Sequence, residues 1–174
     1  MRALELRGVE LSCSERGDGP PALFLHRTAT DSSAWAPTLA ELGEGVRAIA
    51  YDRRGWGRSS APQGYVRTTI EEQSEDAAAL LEALDAAPAV LCGAGSGAVI
   101  ALDLLLRLPE LVASALLLEP PILSLLPEAT RLLSEDRELL EGAAGSGREA
   151  LVDLYLSGGL GALSAGVARI PPEL

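Results

Sequence analysis

The residues of this chain that could do chemistry gather at one corner. Ala89 to Leu102 reads AVLCGAGSGAVIAL, with glycines two apart at Gly93, Gly95 and Gly97 and a single hydroxyl at Ser96. Val90, Leu91 and Cys92 suit a strand buried on both faces, while Val99 onward carries helical spacing, so the small residues between them form a sharp strand-to-helix turn. A serine on such a turn acts as a nucleophile only if a base takes its proton. His26 is the one histidine of the 174 residues.

Composition bounds the rest. The hydrophobic fraction of 48% with 22% charged residues describes a globular domain large enough to bury a core. A net charge of -11 with no lysine disfavours nucleic acid and anionic membranes as partners, because both would repel the chain. Asp103 and Arg107 break the most apolar helix, and the charged opening MRALELRGVE lacks the apolar core of a secretory signal, so a cytoplasmic protein without a membrane span is expected. Cys13 and Cys92 lack metal-site spacing and read as buried, reduced thiols; neither metal nor cofactor is expected.

The elements that must position the corner alternate. ALELRGVELSCSERG reads as two strands joined at Gly8, ALFLH as a third, and TATDSSAW as a polar loop offering N-caps to a helix around WAPTLAELG. VRAIAYD is a further strand, ended by the loop RRGWGRSSAPQG. Thr69 and Glu72 have capping-box spacing before a helix whose apolar face takes Ile70, Ala77, Leu81 and Leu84. After the glycine corner and its helix, VASALLLEPPI reads as another buried strand. Strands separated by helices imply an α/β fold, a mostly parallel sheet covered on both faces, with ligands expected at the carboxyl ends of the strands. Residues 1–122 are expected to form this core, and 123–174 a helical, cap-like segment without an intervening strand.

Taken in order, these segments resemble the amino-terminal part of the α/β-hydrolase superfamily. ALFLHR resembles its strand ending in His-Gly, YDRRGWGRS its Asp-x-Arg-Gly-x-Gly-x-Ser segment, and EEQSEDAAALLEAL the helix before the nucleophile. VLCGAGSGAVIALDLLLRLPELV resembles the nucleophile elbow with its helix, and ALLLEPPIL the strand leading to the cap; together they span roughly the first two thirds of the chain.

The resemblance implies a serine between Gly93 and Gly97, and this sequence has Gly95 there. Removal of the serine from a working triad costs on the order of 10⁶ in rate. Neighbouring positions depart too: Arg27 stands where a glycine usually follows the loop histidine, and Ala94 and Ala98 flank the corner. His26 matches a histidine that hydrogen-bonds within its loop rather than a general base, and Glu119 reads as a cap-hinge partner, although some family members keep the catalytic acid there. The strands that carry the acid and the base in the family are not expected before Leu174, so no triad is expected in this chain. Ser96 is a helix N-cap, part of the turn, or a displaced nucleophile, and its N–H with that of Thr28 falls at the positions that the resemblance gives to the family's oxyanion hole. Trp35 and Trp56 either line a pocket or pack; Asp52 with Arg53, Arg54 and Arg58 reads as a salt-bridged turn, and Asp103 with Arg107 as an ordinary exposed pair.

Three functions fit this pattern. One is a degenerate or incomplete hydrolase relative that keeps a small-molecule pocket and a main-chain oxyanion hole. Another is a non-hydrolytic enzyme, an isomerase or cyclase, in which that hole stabilises an enolate. The third is a ligand-binding or scaffold protein. A sheet that stops at the ALLLE strand leaves an unpaired edge and exposes residues such as Leu116 and Leu118, so a homo-oligomer or a partner chain is expected unless helices over 125–163 fold back on it.

Overall fold

The computed structural model describes residues 1–65 and 67–122 and, beyond them, positions 125, 127, 128, 130, 131, 134, 135, 137, 138 and 141. The chain divides into two compact units, Met1–Pro120 and Pro121–Leu174. Of the expected cap-like segment, residues 142–174 lie outside the described residues.

The first unit begins with a hairpin. Strands β1 (Arg2–Leu6) and β2 (Val9–Arg16) pair antiparallel with Leu6 opposite Val9. Arg7 and Gly8 between them both have positive φ, 50° and 75°, the paired left-handed geometry that matches a two-residue turn to the twist of its strands. The four strands β3 (Pro21–Leu25), β4 (Arg47–Tyr51), β5 (Ala89–Ala94) and β6 (Val112–Leu118) are mutually parallel, and the six-stranded order is β1-β2-β4-β3-β5-β6. The chain leaves β3 through the short helix α1 (Ala36–Glu41) toward β4 on one side and returns to β5 on the other. That reversal puts the carboxyl ends of β3 and β5 beside one crevice, the usual ligand position in such sheets.

Alternation along the strands builds two apolar layers. Leu23, Leu25, Ile49, Tyr51 and Leu91 face α2 (Ile70–Ala83) and α3 (Ser96–Arg107), whose Ala77, Leu81, Ile100 and Leu104 are fully buried against them. The opposite face is made of smaller residues, Ala22, Ala48, Ala50, Cys92 and Ala94, with Phe24 and Trp35. Both cysteines are buried free thiols, and burial raises the pKa of each.

Several expectations need correction. Ile70, the first residue of α2, is exposed at 36%, because the helix begins before it reaches the sheet. Thr69 caps that helix by accepting from the Glu72 N–H at 3.0 Å, but the Glu72 carboxylate accepts from Thr68 and Tyr65 rather than completing a capping box. Asp103 and Arg107 are not an isolated pair: Asp103 accepts from Ser74, and Arg107 reaches Glu71 at 2.6 Å, so they tie α3 to α2. The strand at 112–118 is not buried. It is the sheet edge, paired only with β5 among the described residues, and Leu116 and Leu118 are 59% and 52% exposed on the face where no described helix covers them. Their exposure agrees with the expectation for an unpaired edge.

Candidate active site

The glycine corner is held by contacts that admit no larger residues. A Cβ on Gly97 would lie 2.7 Å from the His26 carbonyl oxygen, and one on Gly93 would lie 2.6 Å from Ala98 Cα. The two outer glycines therefore let α3 pack down on the ends of β3 and β5. Gly95 between them is the N-cap of α3 with φ 54° and ψ -121°, a conformation that L side chains rarely adopt, and its N–H donates to Leu118 O at 2.9 Å. Apart from its chain neighbours, a Cβ built on Gly95 meets only Arg27 within 4 Å among the described residues, at 3.1 Å from Arg27 Cβ and 3.9 Å from its Cα.

Ser96 is the first residue of α3 and not its cap. Its Oγ accepts from Thr28 Oγ1 at 2.9 Å and from Arg53 Nη2 at 3.3 Å. With both lone pairs engaged, the oxygen faces donors rather than a base, an arrangement suited to holding the hydroxyl in place. The main-chain N–H groups of Thr28 and Ser96 are not engaged in any hydrogen bond among the described residues.

His26 is fully buried and closed on both ring nitrogens. Nε2 lies 3.0 Å from the Arg53 N–H, which can only donate, so Nδ1 carries the proton and donates to the Arg27 carbonyl at 2.8 Å. Burial, aided by the charge of Arg53, lowers its pKa to about 4. The ring is thus a neutral staple joining the loop after β3 to the loop after β4. Trp56 packs edge-on to it at 6.4 Å and lies under the Arg53 guanidinium at 5.8 Å.

Asp52 does not form the expected salt-bridged turn. Its two oxygens accept main-chain N–H groups, Ser32 at 2.9 Å and Arg58 at 2.8 Å, so it fixes two loops through their backbones. The neighbouring arginines diverge. Arg54 runs to α2 and grips Asp76 bidentately at 2.6 and 2.7 Å, while Arg53, 3% exposed, turns to the corner and Ser96. Arg53 is the site residue that sequence reasoning missed; the available signal was the Arg-Arg doublet, of which the Asp-x-Arg-Gly pattern accounts for only the second. Trp35 packs against Phe24 at 5.2 Å, edge to face, in the small-residue layer. Glu119 follows β6 with φ 50° and faces Arg27 at 3.8 Å, both side chains more than half exposed. Among the described residues no group of three His, Cys, Asp or Glu could hold a metal ion, and no helix is long and apolar enough to cross a membrane.

This arrangement joins a His loop, an Asp-x-Arg-Gly loop and a Gly-x-x-x-Gly elbow at the switch point of the sheet. The profile of the alpha/beta hydrolase family matches residues 22–172, and the chain belongs to that family. It is 37% identical over 112 residues to the candidate non-heme bromoperoxidase BpoC of Mycobacterium tuberculosis, a match covering 63% of this chain and 42% of that protein. The solved epoxide hydrolase VrEH1 from Vigna radiata is 32% identical with a TM-score of 0.62, over 66% of this chain and 37% of the other. Est816, described as an N-acyl homoserine lactone degrading enzyme, is 27% identical with a TM-score of 0.65, over 96% of this chain and 65% of its own. The chain spans less than half the length of the curated relatives it matches.

Proposed function

We propose that this polypeptide is a hydrolase relative whose elbow binds a small molecule without attacking it. The observation that carries the reading is Gly95, which holds the nucleophile position at φ 54° and brings no side chain to it. Two further features support it. Ser96 Oγ is engaged by Thr28 and Arg53, and His26, the one histidine within these residues, has both ring nitrogens committed to backbone groups. The ligand class follows from the epoxide hydrolase and lactone-degrading neighbours: a small organic molecule with a polarised oxygen, taken by the N–H groups of Thr28 and Ser96 acting as an oxyanion hole. The test is a fluorophosphonate probe on the purified chain, together with Gly95→Ser assayed on simple esters. No labelling and no esterase gain are expected; covalent labelling at Ser96 overturns the reading.

A second reading is favoured by the same unengaged N–H groups. They suit an enolate as well as an acyl oxyanion, which makes a non-hydrolytic rearrangement of the bound molecule the alternative. Turnover without incorporation of solvent oxygen separates it from hydrolysis, and binding without turnover separates both from a binding protein. The exposed β6 edge supports self-association or a partner chain as its cover, and the two buried free thiols support a reducing compartment such as the cytoplasm.

A further inference from the structure

We propose that the hydroxyls of Thr28 and Ser96 form a clamp that sets the spacing of the two main-chain N–H groups, which makes these side chains positioning residues for the oxygen that the pair receives. This rests on the reading of that pair as part of a small-molecule site and adds what fixes it. The two groups belong to different loops, one following β3 and the other opening α3 after β5. The ladder between these strands ends with Leu25 opposite Gly93, short of both. Past that point the bond from Thr28 Oγ1 to Ser96 Oγ, 2.9 Å long, is the one direct hydrogen bond between the two loops among the described residues. Each hydroxyl hangs from the β-carbon of the residue whose N–H it would position, so little slack separates them. Threonine, branched at Cβ, has few χ1 states, and holding its oxygen holds its main chain.

Two contacts from the loop after β4 complete the arrangement. The buried Arg53 guanidinium donates to Ser96 Oγ at 3.3 Å, and the Arg53 main-chain N–H donates to His26 Nε2 at 3.0 Å, two residues before Thr28. The three loops thus close a ring that runs from His26 to Arg53, to Ser96, to Thr28, and back to His26 along the chain. In a closed ring each bond limits the freedom of the others, so the two N–H groups are spaced before a ligand arrives, as effective oxyanion donors must be. Helix capping does not explain the arrangement. Ser96 is the first residue of α3 rather than its N-cap, and a cation beside a helix N-terminus is opposed by the helix dipole.

The experiment uses the full chain and removes one hydroxyl at a time, Thr28→Val and Ser96→Ala, with Thr28→Ser as the conservative control. NMR relaxation gives the order parameters of the Thr28 and Ser96 amides, and butanamide, a neutral carbonyl probe, is titrated against the same two resonances. Loss of either hydroxyl is expected to lower the order of both amides, including the one whose residue is unchanged, and to weaken butanamide roughly fivefold, the worth of about one hydrogen bond. The double variant is expected to weaken it no further than either single variant, because both remove the same bond. Thr28→Ser should keep wild-type order, and affinity to within about twofold. A hydroxyl of purely structural use would change stability without loosening the amide on the other loop. A loss of order confined to the substituted residue, or additive losses in the double variant, overturns the clamp, and the small-molecule reading stands if butanamide moves the two amides of the wild-type chain. Butanamide that moves neither wild-type amide at millimolar concentration overturns that reading and the positioning role with it.

Discussion

Arg27 and Gly95 face each other across the corner, with the Arg27 Cβ only 3.1 Å from where a Gly95 Cβ would lie. In the family pattern a glycine stands at the first position and a serine at the second, so both departures fall on one contact. A larger residue has entered on one side where the side chain has gone from the other. The backbone at Gly95 has φ 54°, the bend at which the family pattern places its serine.

This contact makes the two positions energetically coupled. Gly95→Ser is expected to destabilise the chain by about 1–3 kcal/mol, from the positive φ and from the tight approach to Arg27. In an Arg27→Gly background the same substitution is expected to cost less, with a coupling of roughly 0.5–1 kcal/mol, since residues in direct contact do not add. Urea midpoints of the four proteins of the cycle measure this. Strict additivity would show that the two changes are unrelated.

His26 gives a pH dependence of definite sign. Its folded-state pKa of about 4 lies below the value of about 6.5 for an unfolded histidine, so between these pH values the unfolded chain holds a proton that the folded chain lacks. Stability from this residue is full above about pH 6.5 and falls as the pH drops toward about 4, by on the order of 3 kcal/mol in total. Replacement by Gln removes this component, so the stability of wild type and His26→Gln should converge on acidification. A His26 imidazole titrating near neutrality by NMR would contradict the closed, neutral ring.

Much of the fold was legible because its signals are local. The turn at Arg7 and Gly8, the Thr69 cap and the small residues of the elbow each declare themselves within a few positions. What sequence could not resolve is direction and distance. Arg53 and Arg54 are adjacent and chemically identical, yet one is buried against Ser96 and the other against Asp76, because a bend sends neighbouring side chains apart. The approach of Glu119 to Arg27 depends on β6 and β3 flanking β5, a fact of sheet order rather than of spacing. The 112–118 run looked buried from its apolar content, but content does not reveal whether a strand has one neighbour or two.

The Arg54–Asp76 pair should dominate the response to charge removal. Asp76 is fully buried and accepts two bonds from Arg54, with Arg7 adding a longer contact of 3.2 Å from a half-exposed side chain. Asp76→Ala leaves the buried Arg54 guanidinium only its longer contacts to Glu72 at 3.6 Å and to the Arg7 carbonyl at 3.4 Å, and is expected to cost about 3–5 kcal/mol. Arg7→Ala removes the wetter partner and is expected to cost under about 1 kcal/mol. Denaturant titration of the two variants checks the ratio, and a comparable loss from both would mean that Arg7 carries more of the network than its exposure implies.

The β6 edge offers the clearest test of association. Leu116 and Leu118 lie two apart on one face of β6, whose outer edge has no partner among the described residues, and stand opposite Cys92 and Ala94 of β5. Strand edges of this kind pair with other chains unless charge or proline interrupts them, and the exposed residues here carry neither. Sedimentation of the wild-type chain is expected to show concentration-dependent association. Leu116→Lys with Leu118→Glu should shift it toward monomer without lowering stability by more than about 0.5 kcal/mol, because the changes fall on exposed positions. A wild-type chain that stays monomeric and binds no hydrophobic dye would mean that the face is already covered within one molecule. In that case the double variant should lose stability instead of losing partners, so the two outcomes distinguish an intermolecular cover from an intramolecular one.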